Sequence, residues 1–291
     1  MASKERKIIR RNILYGGELF PSEGIRKWYK RELSALSTEM SRKTIADIIK
    51  IYRRENENIK ALYAQDADSA EVLKAELDRL NKEFYAVFTG KAESLAKGFV
   101  ERQSDYANIS VKGSLKAFGT SIGGASGTTF EVNFLKGFYS PRDIKISKAA
   151  IAANVKLINS INSDFFKEIA ELIFRSVMNG EGITAVKEGL SKITGKLDRR
   201  VELIASDQNK KVYEALSRRK LLDVGIKQYE WVYTYGSKKP QWEREYHRDV
   251  LAGQIFNLNK AIVVDPKTGE EGYPGTLINC HCIKRPVIVF N

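Results

Sequence analysis

The stretch Asn-Cys-His-Cys at residues 279–282 decides how the C-terminal part of the chain folds. Together with His247 it contains both cysteines and both histidines of the sequence. Thiolate and imidazole are the side-chain groups that zinc-like metals prefer, so one His and a Cys-x-Cys pair would supply three of the usual four ligands. The candidate ligands are therefore His247, Cys280 and Cys282, and zinc is the ion that this donor set favours.

A strand over residues 277–283 would bring the two sulfurs together. Side chains alternate along a strand, so both cysteines would lie on one face and the histidine between them on the other. His247 would then come from a preceding helix. Four candidates stay open for the fourth ligand: a water, Asp249, Asp265 and, against the strand geometry, His281.

The same residues have a simpler interpretation, in which two free buried thiols pack beside a core histidine. Cys-x-Cys lacks the two-residue spacer of a zinc knuckle, and the chain has no second cysteine pair. The spacing thus favours ordinary packing over a structural metal, and a disulfide between residues two apart would be strained. Under either interpretation, the three side chains are predicted to converge within one small α+β domain.

The segments around this site alternate between strand and helix patterns. Residues 229–235 alternate aromatic and polar side chains, as a half-buried strand does. Further elements are predicted as a short helix over 242–251 presenting Arg244 and His247 on one face, a strand at 262–264, a tight turn at 265–269 and a closing strand at 286–290.

Most of the preceding chain has apolar residues at helical spacings of three and four. The stripes predict helices over 33–54, from Asp66 or Asp68 to Phe99, and over 151–158, 162–178, 182–193 and 196–220. Residues 105–147 differ, because 109–112 alternate and 119–127 are rich in glycine, which predicts a flexible loop or short hairpin over 118–139. No lysine follows these glycines at the spacing of a phosphate-binding loop, so we exclude a nucleotide site.

The predicted fold class is therefore mainly α with a small C-terminal α+β domain. The predicted parts are a basic N-terminal arm (1–32), a helical domain with a flexible glycine-rich segment (33–147), a second helical part (148–228) and the α+β domain (229–291).

Composition limits the partners. The 291 residues include 49 Lys and Arg against 36 Asp and Glu, a net charge of +13. Such an excess favours double-stranded DNA without sequence preference, or an acidic protein surface, although lysines that only maintain solubility would look the same. The predicted contact residues lie near the N-terminus: Lys4, Arg6, Lys7, Arg10 and Arg11.

The sequence predicts no membrane span and no secretory signal, because no apolar run approaches the required length. Two cysteines are too few for a disulfide framework, which fits assembly in a reducing cytoplasm. Nine residues follow Cys282, so we expect no toxin or enzyme module to be appended.

An ordered set of motifs resembles the signature of phage Mu protein F-like head morphogenesis domains, which include the minor head protein of the SPP1 group. The resemblance covers roughly the last 130 residues. Its elements are Ile204–Gln208, Trp231, Arg244-x-x-His247, Leu251-x-Gly253, Tyr273-Pro274-Gly275 and Asn279-Cys280-x-Cys282. The chain departs from the family in having His281 between the cysteines, where Arg is common, and in a divergent segment between Gly253 and Tyr273.

The resemblance implies a non-enzymatic minor virion protein, located inside the phage head near the portal after assembly in the host cytoplasm. Its implied partners are the portal protein, the major capsid or scaffold proteins and the genome, with which it could be ejected. One alternative is a nucleic-acid-binding protein with a small metal-supported domain. A metal-dependent hydrolase using Glu243 or Glu245 as general base is less favoured, because no His-Glu-x-x-His helix or nucleophile signature is present.

Overall fold

Four long helices make up most of the protein. The computed structural model describes residues 13–59, 67–122, 141–179, 183–234 and 245–290. The helices are α1 (Glu23–Ile59), α2 (Ala67–Ile122), α3 (Pro141–Met178) and α4 (Ile183–Asp223). No helix within these ranges is both long and apolar enough to cross a bilayer.

The strands form two small sheets. They are β1 (Ile13–Tyr15), β2 (Gln228–Val232), β3 (Ile255–Asn257), β4 (Ile262–Asp265), β5 (Glu270–Gly272) and β6 (Ile283–Val289). One sheet has the order β1-β6-β2-β3, and β4 pairs with β5 in the other. All pairings are antiparallel. Long helices with a small C-terminal mixed region confirm the predicted fold class.

Chain contacts divide the protein into two units that interleave along the sequence. The first, called the terminal unit here, comprises residues 1–25, 99–150 and 206–291. The second, called the helical unit, comprises residues 26–98 and 151–205. The predicted division was linear, whereas each of these units is assembled from segments far apart in sequence.

The helical unit is a four-helix assembly with an apolar core and internal polar contacts. The predicted stripe of α2 is confirmed, because Leu73, Leu77, Leu80, Phe84 and Phe88 are all buried. The hydroxyl of Tyr29 donates to Asn154 Oδ1 at 2.9 Å, and Asn162 donates to Asn81 at 3.0 Å. Gly189 lets α4 approach α3 closely, since a Cβ there would lie 2.4 Å from a methyl group of Leu172.

Several helix breaks predicted from polar residues are wrong. Residues 151–158 and 162–178 lie in one helix, α3. Residues 183–193 and 196–220 lie in another, α4, and residue 182 is outside the described residues. The hydroxyls at the expected breaks bond to carbonyls of their own helix instead of ending it: Ser160 donates to Leu157 at 2.8 Å, and Thr194 donates to Leu190 at 3.0 Å. Local bonds of this kind are compatible with a continuing helix.

The prediction of non-helical structure from residue 105 is wrong as far as Ile122. Here α2 buries a stripe at helical spacing that mixes polar, small and apolar side chains: Gln103, Ala107, Val111, Ser114, Leu115 and Phe118. Its low hydrophobicity hides the period, and the alternation at 109–112 has no structural counterpart, since Ile109 is 69% exposed. Residues 123–140, with most of the glycine-rich segment, lie outside the described ranges.

The range predicted as an N-terminal arm contains regular structure, because β1 and the start of α1 both lie within it. Strand β1 pairs with β6, so an early segment completes the sheet formed by the last strands. Gly16 follows it closely, with its N–H donating to the Pro286 carbonyl at 2.8 Å. A Cβ on Gly16 would lie 2.7 Å from the Pro286 ring. Helix α1 then begins at Glu23.

Candidate metal site

Three side chains of the terminal unit converge on one point. Nδ1 of His247 lies 3.5 Å from Sγ of Cys280 and 3.6 Å from Sγ of Cys282. The three donor atoms lie within 4.8 Å of one another. Only 1% of His247 and 4% of each cysteine are exposed, and both cysteines are free thiols. The predicted convergence is confirmed, and this grouping could hold a metal ion.

The far ring nitrogen of His247 fixes the position of the imidazole proton. Nε2 lies 2.8 Å from the carbonyl oxygen of Val264 in β4. Because a carbonyl oxygen can only accept, Nε2 carries the proton and donates to it. Nδ1 is the ring nitrogen that faces the two sulfurs. A backbone carbonyl on the far nitrogen is a common arrangement for a metal-binding histidine.

A π-helical turn presents this histidine. The turn spans His247–Leu251, and the N–H of Ala252 donates to the His247 carbonyl at 2.9 Å. It buries its first and last side chains, His247 and Leu251. The predicted helix over 242–251 is confirmed within its described part, 245–251, although its last five residues have π geometry. Residue Arg244, predicted to share a face with His247, lies outside the described residues.

The strand predicted over 277–283 is wrong in position, because β6 begins only at Ile283. A turn precedes it, and Asn279 adopts a positive φ of 61°. Both cysteines are buried and the histidine between them is exposed, as strand alternation would also give. The predicted distribution of side chains therefore holds even though the backbone is irregular.

Two glycines of the signature have the backbone conformations that favour glycine. Gly253 has φ +77°, and its N–H donates to the Trp231 carbonyl at 2.8 Å. Gly275 has φ +82°, and a Cβ there would lie 3.2 Å from the Cys282 carbonyl oxygen. Both positions therefore shape the backbone around the cluster. Pro274, which precedes the second glycine, is buried.

None of the described protein candidates for the fourth ligand joins the cluster. Asp249 is exposed and pairs with Arg248 at 2.7 Å. The carboxylate of Asp265 accepts the backbone N–H of Lys267 at 2.8 Å. His281 is exposed, and its carbonyl accepts the Thr234 hydroxyl. The described residues thus bring together three donors.

The two thiols are electrostatically unlike. The hydrogen bond with Cys282 lowers the pKa of Cys280 well below its usual range, and His247 acts in the same direction against the effect of burial. Cys280 and burial raise the pKa of Cys282, whereas the Trp231 indole lowers it. The pKa values of the two thiols are thus shifted in opposite directions.

Sequence reasoning missed two buried lysines in the terminal unit. The side chain of Lys284 is 3% exposed and its Nζ lies 3.0 Å from Glu214 Oε1. The side chain of Lys220 is fully buried with Nζ 3.6 Å from Asp143. Desolvation lowers the pKa of both lysines, and the neighbouring carboxylates oppose that shift. Lysine in a surface-like pattern gives no sequence indication of such burial.

The predicted nucleic-acid contacts cannot be placed in the same way. Lys4, Arg6, Lys7, Arg10 and Arg11 all lie outside the described residues. The metal candidates and the signature residues Trp231, Gly253, Pro274 and Gly275 all lie within the terminal unit.

Comparison with known proteins relates part of this chain to a phage protein family. Residues 167–285 match the family described as "Phage Mu protein F like protein". A Haemophilus influenzae protein described as uncharacterized is 28% identical over 205 residues, covering 69% of this chain and 40% of that protein. The chain thus spans about two fifths of the length of that relative. No solved structure matches.

Residues 167–285 are similar to the phage Mu protein F-like family. The match includes the upstream motif Ile204–Gln208 as well as the whole region from β2 to Cys282, and it confirms the resemblance.

Proposed function

We propose that the protein is a minor head protein of a tailed phage, recruited with the portal and located inside the head. The observation that carries the proposal is the family match over residues 167–285. That segment runs from the last part of α3 through the whole of α4 to β6, so it includes one complete long helix and most of the small mixed region. Helices of this length offer extended faces for other subunits of the head, including the major capsid or scaffold proteins.

Portal dependence can be tested in assembling heads. Heads formed with and without the portal protein are purified, and this protein is quantified by mass spectrometry against the major capsid protein. We expect incorporation only where the portal is present, in a fixed ratio to it. Equal incorporation into portal-free heads would contradict the proposal.

The proposed role of the His247, Cys280 and Cys282 cluster is structural zinc binding. The donor set fits the ion, since two sulfurs and an imidazole nitrogen face one another in a buried position. Bound zinc would link the π-helical turn to the segment before β6. Metal binding stabilises small domains strongly, by an apparent ~10–16 kcal/mol in zinc-finger peptides near neutral pH. Burial of the donors supports a structural ion over a catalytic one.

Elemental analysis of the purified full chain tests this role. We expect about one zinc per chain, as ligand sets of this kind bind a single ion, and its loss in Cys282→Ser. His281→Gln is the matched control, because His281 is exposed and lies outside the cluster. Absence of stoichiometric metal from the wild-type chain prepared under reducing conditions would refute the zinc role, but not the head protein role.

The alternative function is non-specific DNA binding, supported by the net charge of +13. Affinity should fall steeply between low and physiological salt, because bound lysines and arginines release counterions from DNA. An affinity that does not depend on salt would rule out this electrostatic mechanism. DNA binding is compatible with a head protein beside the genome, so only incorporation into heads separates the two functions.

A further inference from the structure

Trp231 has a buried donor that nothing in the described structure satisfies. The residue lies in β2 and is fully buried. Its backbone is paired, since its N–H donates to the Gln254 carbonyl at 2.9 Å and its carbonyl accepts from Gly253. The indole Nε1 has no hydrogen-bond partner among the described residues. An unpaired buried donor destabilises a fold by about 1–3 kcal/mol, so this group calls for an acceptor.

The indole lies beside the candidate metal site. Its ring centroid is 5.1 Å from that of His247, in an edge-to-face arrangement at 62°. Trp231 is also in register with Lys284 of β6, two residues beyond Cys282. The next residue of β2, Val232, is in register with Ile283, which directly follows Cys282, so the register brings β2 alongside the cysteine.

Metal binding changes how well Cys282 can serve as the acceptor. A neutral thiol is a weak acceptor, whereas hydrogen bonds to an ionised group are shorter and about twice as strong. Metal binding requires the thiolate form. The donor that is unpaired beside the thiol would therefore gain a strong acceptor when Cys282 binds a metal.

We propose that the indole N–H of Trp231 donates to the metal-bound thiolate of Cys282 and so acts as a positioning residue of the site. The inference rests on the proposed zinc site. Two of the three ligands would then each have a hydrogen-bond partner that is not itself a ligand. These partners are the Val264 carbonyl for His247 and the Trp231 indole for Cys282. The fully buried indole sits in a sheet strand, so the donor is rigid and pre-oriented.

The arrangement also accounts for the type of ion. Two thiolates balance the charge of a divalent cation, and a donor beside a sulfur stabilises the partial negative charge that this sulfur keeps in the buried site. Partners of this kind typically change metal affinity by about 10- to 100-fold. The site should therefore depend on the indole N–H as well as on its three ligands.

The test replaces the N–H alone. Benzothienylalanine has the shape of tryptophan with sulfur in place of the indole N–H, and it can be introduced at position 231 of the full chain. The same replacement at Trp28, which belongs to the helical unit, is the matched control. Cobalt(II) serves as the spectroscopic probe, and zinc affinity is measured by competition with a chelator.

We expect zinc affinity to fall about 10- to 100-fold for the variant at position 231 and to remain unchanged for the variant at Trp28. The sulfur-to-cobalt charge-transfer band should move to lower energy at position 231, because a thiolate without its donor is more easily oxidised. A merely structural role of the ring would leave that band in place.

Two results would overturn the inference, and they are distinguishable. If the wild-type chain binds cobalt and zinc but the variant at position 231 has the same affinity and band, the indole is not a donor to the thiolate. If the wild-type chain binds neither ion, the proposed zinc site fails and the role of Trp231 fails with it.

Discussion

Replacing Lys284 by methionine should destabilise the terminal unit severely, although the two side chains have similar length. Lys284 lies in β6, with its side chain 3% exposed, and its Nζ donates to both the carbonyl and the carboxylate of Glu214 in α4, each at 3.0 Å. The side chain of Glu214 is only 7% exposed. The substitution therefore leaves a buried carboxylate without its nearest cation.

The magnitude follows from the burial and from what remains. Removing one partner of a buried ion pair usually destabilises a protein by about 3–5 kcal/mol. Arg218 remains 3.5 Å from the same carboxylate oxygen, which puts the expected loss near the lower end, at about 3 kcal/mol. For a unit of roughly 150–250 residues this corresponds to a fall in melting temperature of roughly 6–12 °C.

A double-mutant cycle measures the pairing directly. Lys284→Met, Glu214→Leu and the double variant are unfolded in denaturant, with the fluorescence of buried Trp231 reporting on the terminal unit. We expect the double variant to be much more stable than the sum of the single effects predicts, because no buried charge remains. Lys260→Met is the control, since Lys260 is exposed and should shift stability by less than about 0.5 kcal/mol. Additive single effects, or a loss below about 0.5 kcal/mol for Lys284→Met, would refute the reasoning.

Three further outcomes are expected. Cys280→Ser should destabilise the terminal unit by about 1–3 kcal/mol even without metal, because His247 loses a buried partner; hydrogen exchange should rise in β2 to β6 and not in the helical unit. Gly189→Ala should destabilise the helical unit by about 1–3 kcal/mol through overpacking, whereas Gly90→Ala, with open space around its Cβ, should stabilise it by about 0.5–1 kcal/mol in thermal unfolding. Burial raises the pKa of Tyr29, so the folded state retains a proton that the unfolded chain loses above about pH 10. The free energy of unfolding should therefore fall as the pH rises above about 10. Denaturant titrations should show a smaller fall for Tyr29→Phe.

The candidate site was predictable because its chemistry depends on rare residue types. The chain offers only two cysteines and two histidines, so few combinations of soft ligands exist. The short separation of the cysteines directs both sulfurs the same way in extended and in irregular backbone. The identity of the binding nitrogen was not predictable, because it depends on the Val264 carbonyl, which lies 17 residues from His247 in sequence.

Other features depend on partners that no local pattern reveals. The continuity of α3 through Asn162 depends on Asn81 of another helix, which receives the hydrogen bond of a residue that resembles a cap. The pairing of β1 with β6 joins residues more than 270 positions apart, such as Ile13 and Val289. Burial of Lys284 likewise follows from Glu214, 70 residues away. In each case a long-range contact outweighs the local preference of the polar residue.

The position of β6 explains why the cluster and the buried ion pair matter to the same part of the protein. This strand is interior to its sheet, with β1 on one side and β2 on the other. The cysteines lie immediately before its first residue, and Lys284, its second residue, ties it to Glu214 of α4. Anything that fixes the start of β6 therefore fixes the register of both neighbouring strands at once. A metal ion that joined the π-helical turn to the start of β6 would therefore constrain a strand that has a paired neighbour on each side.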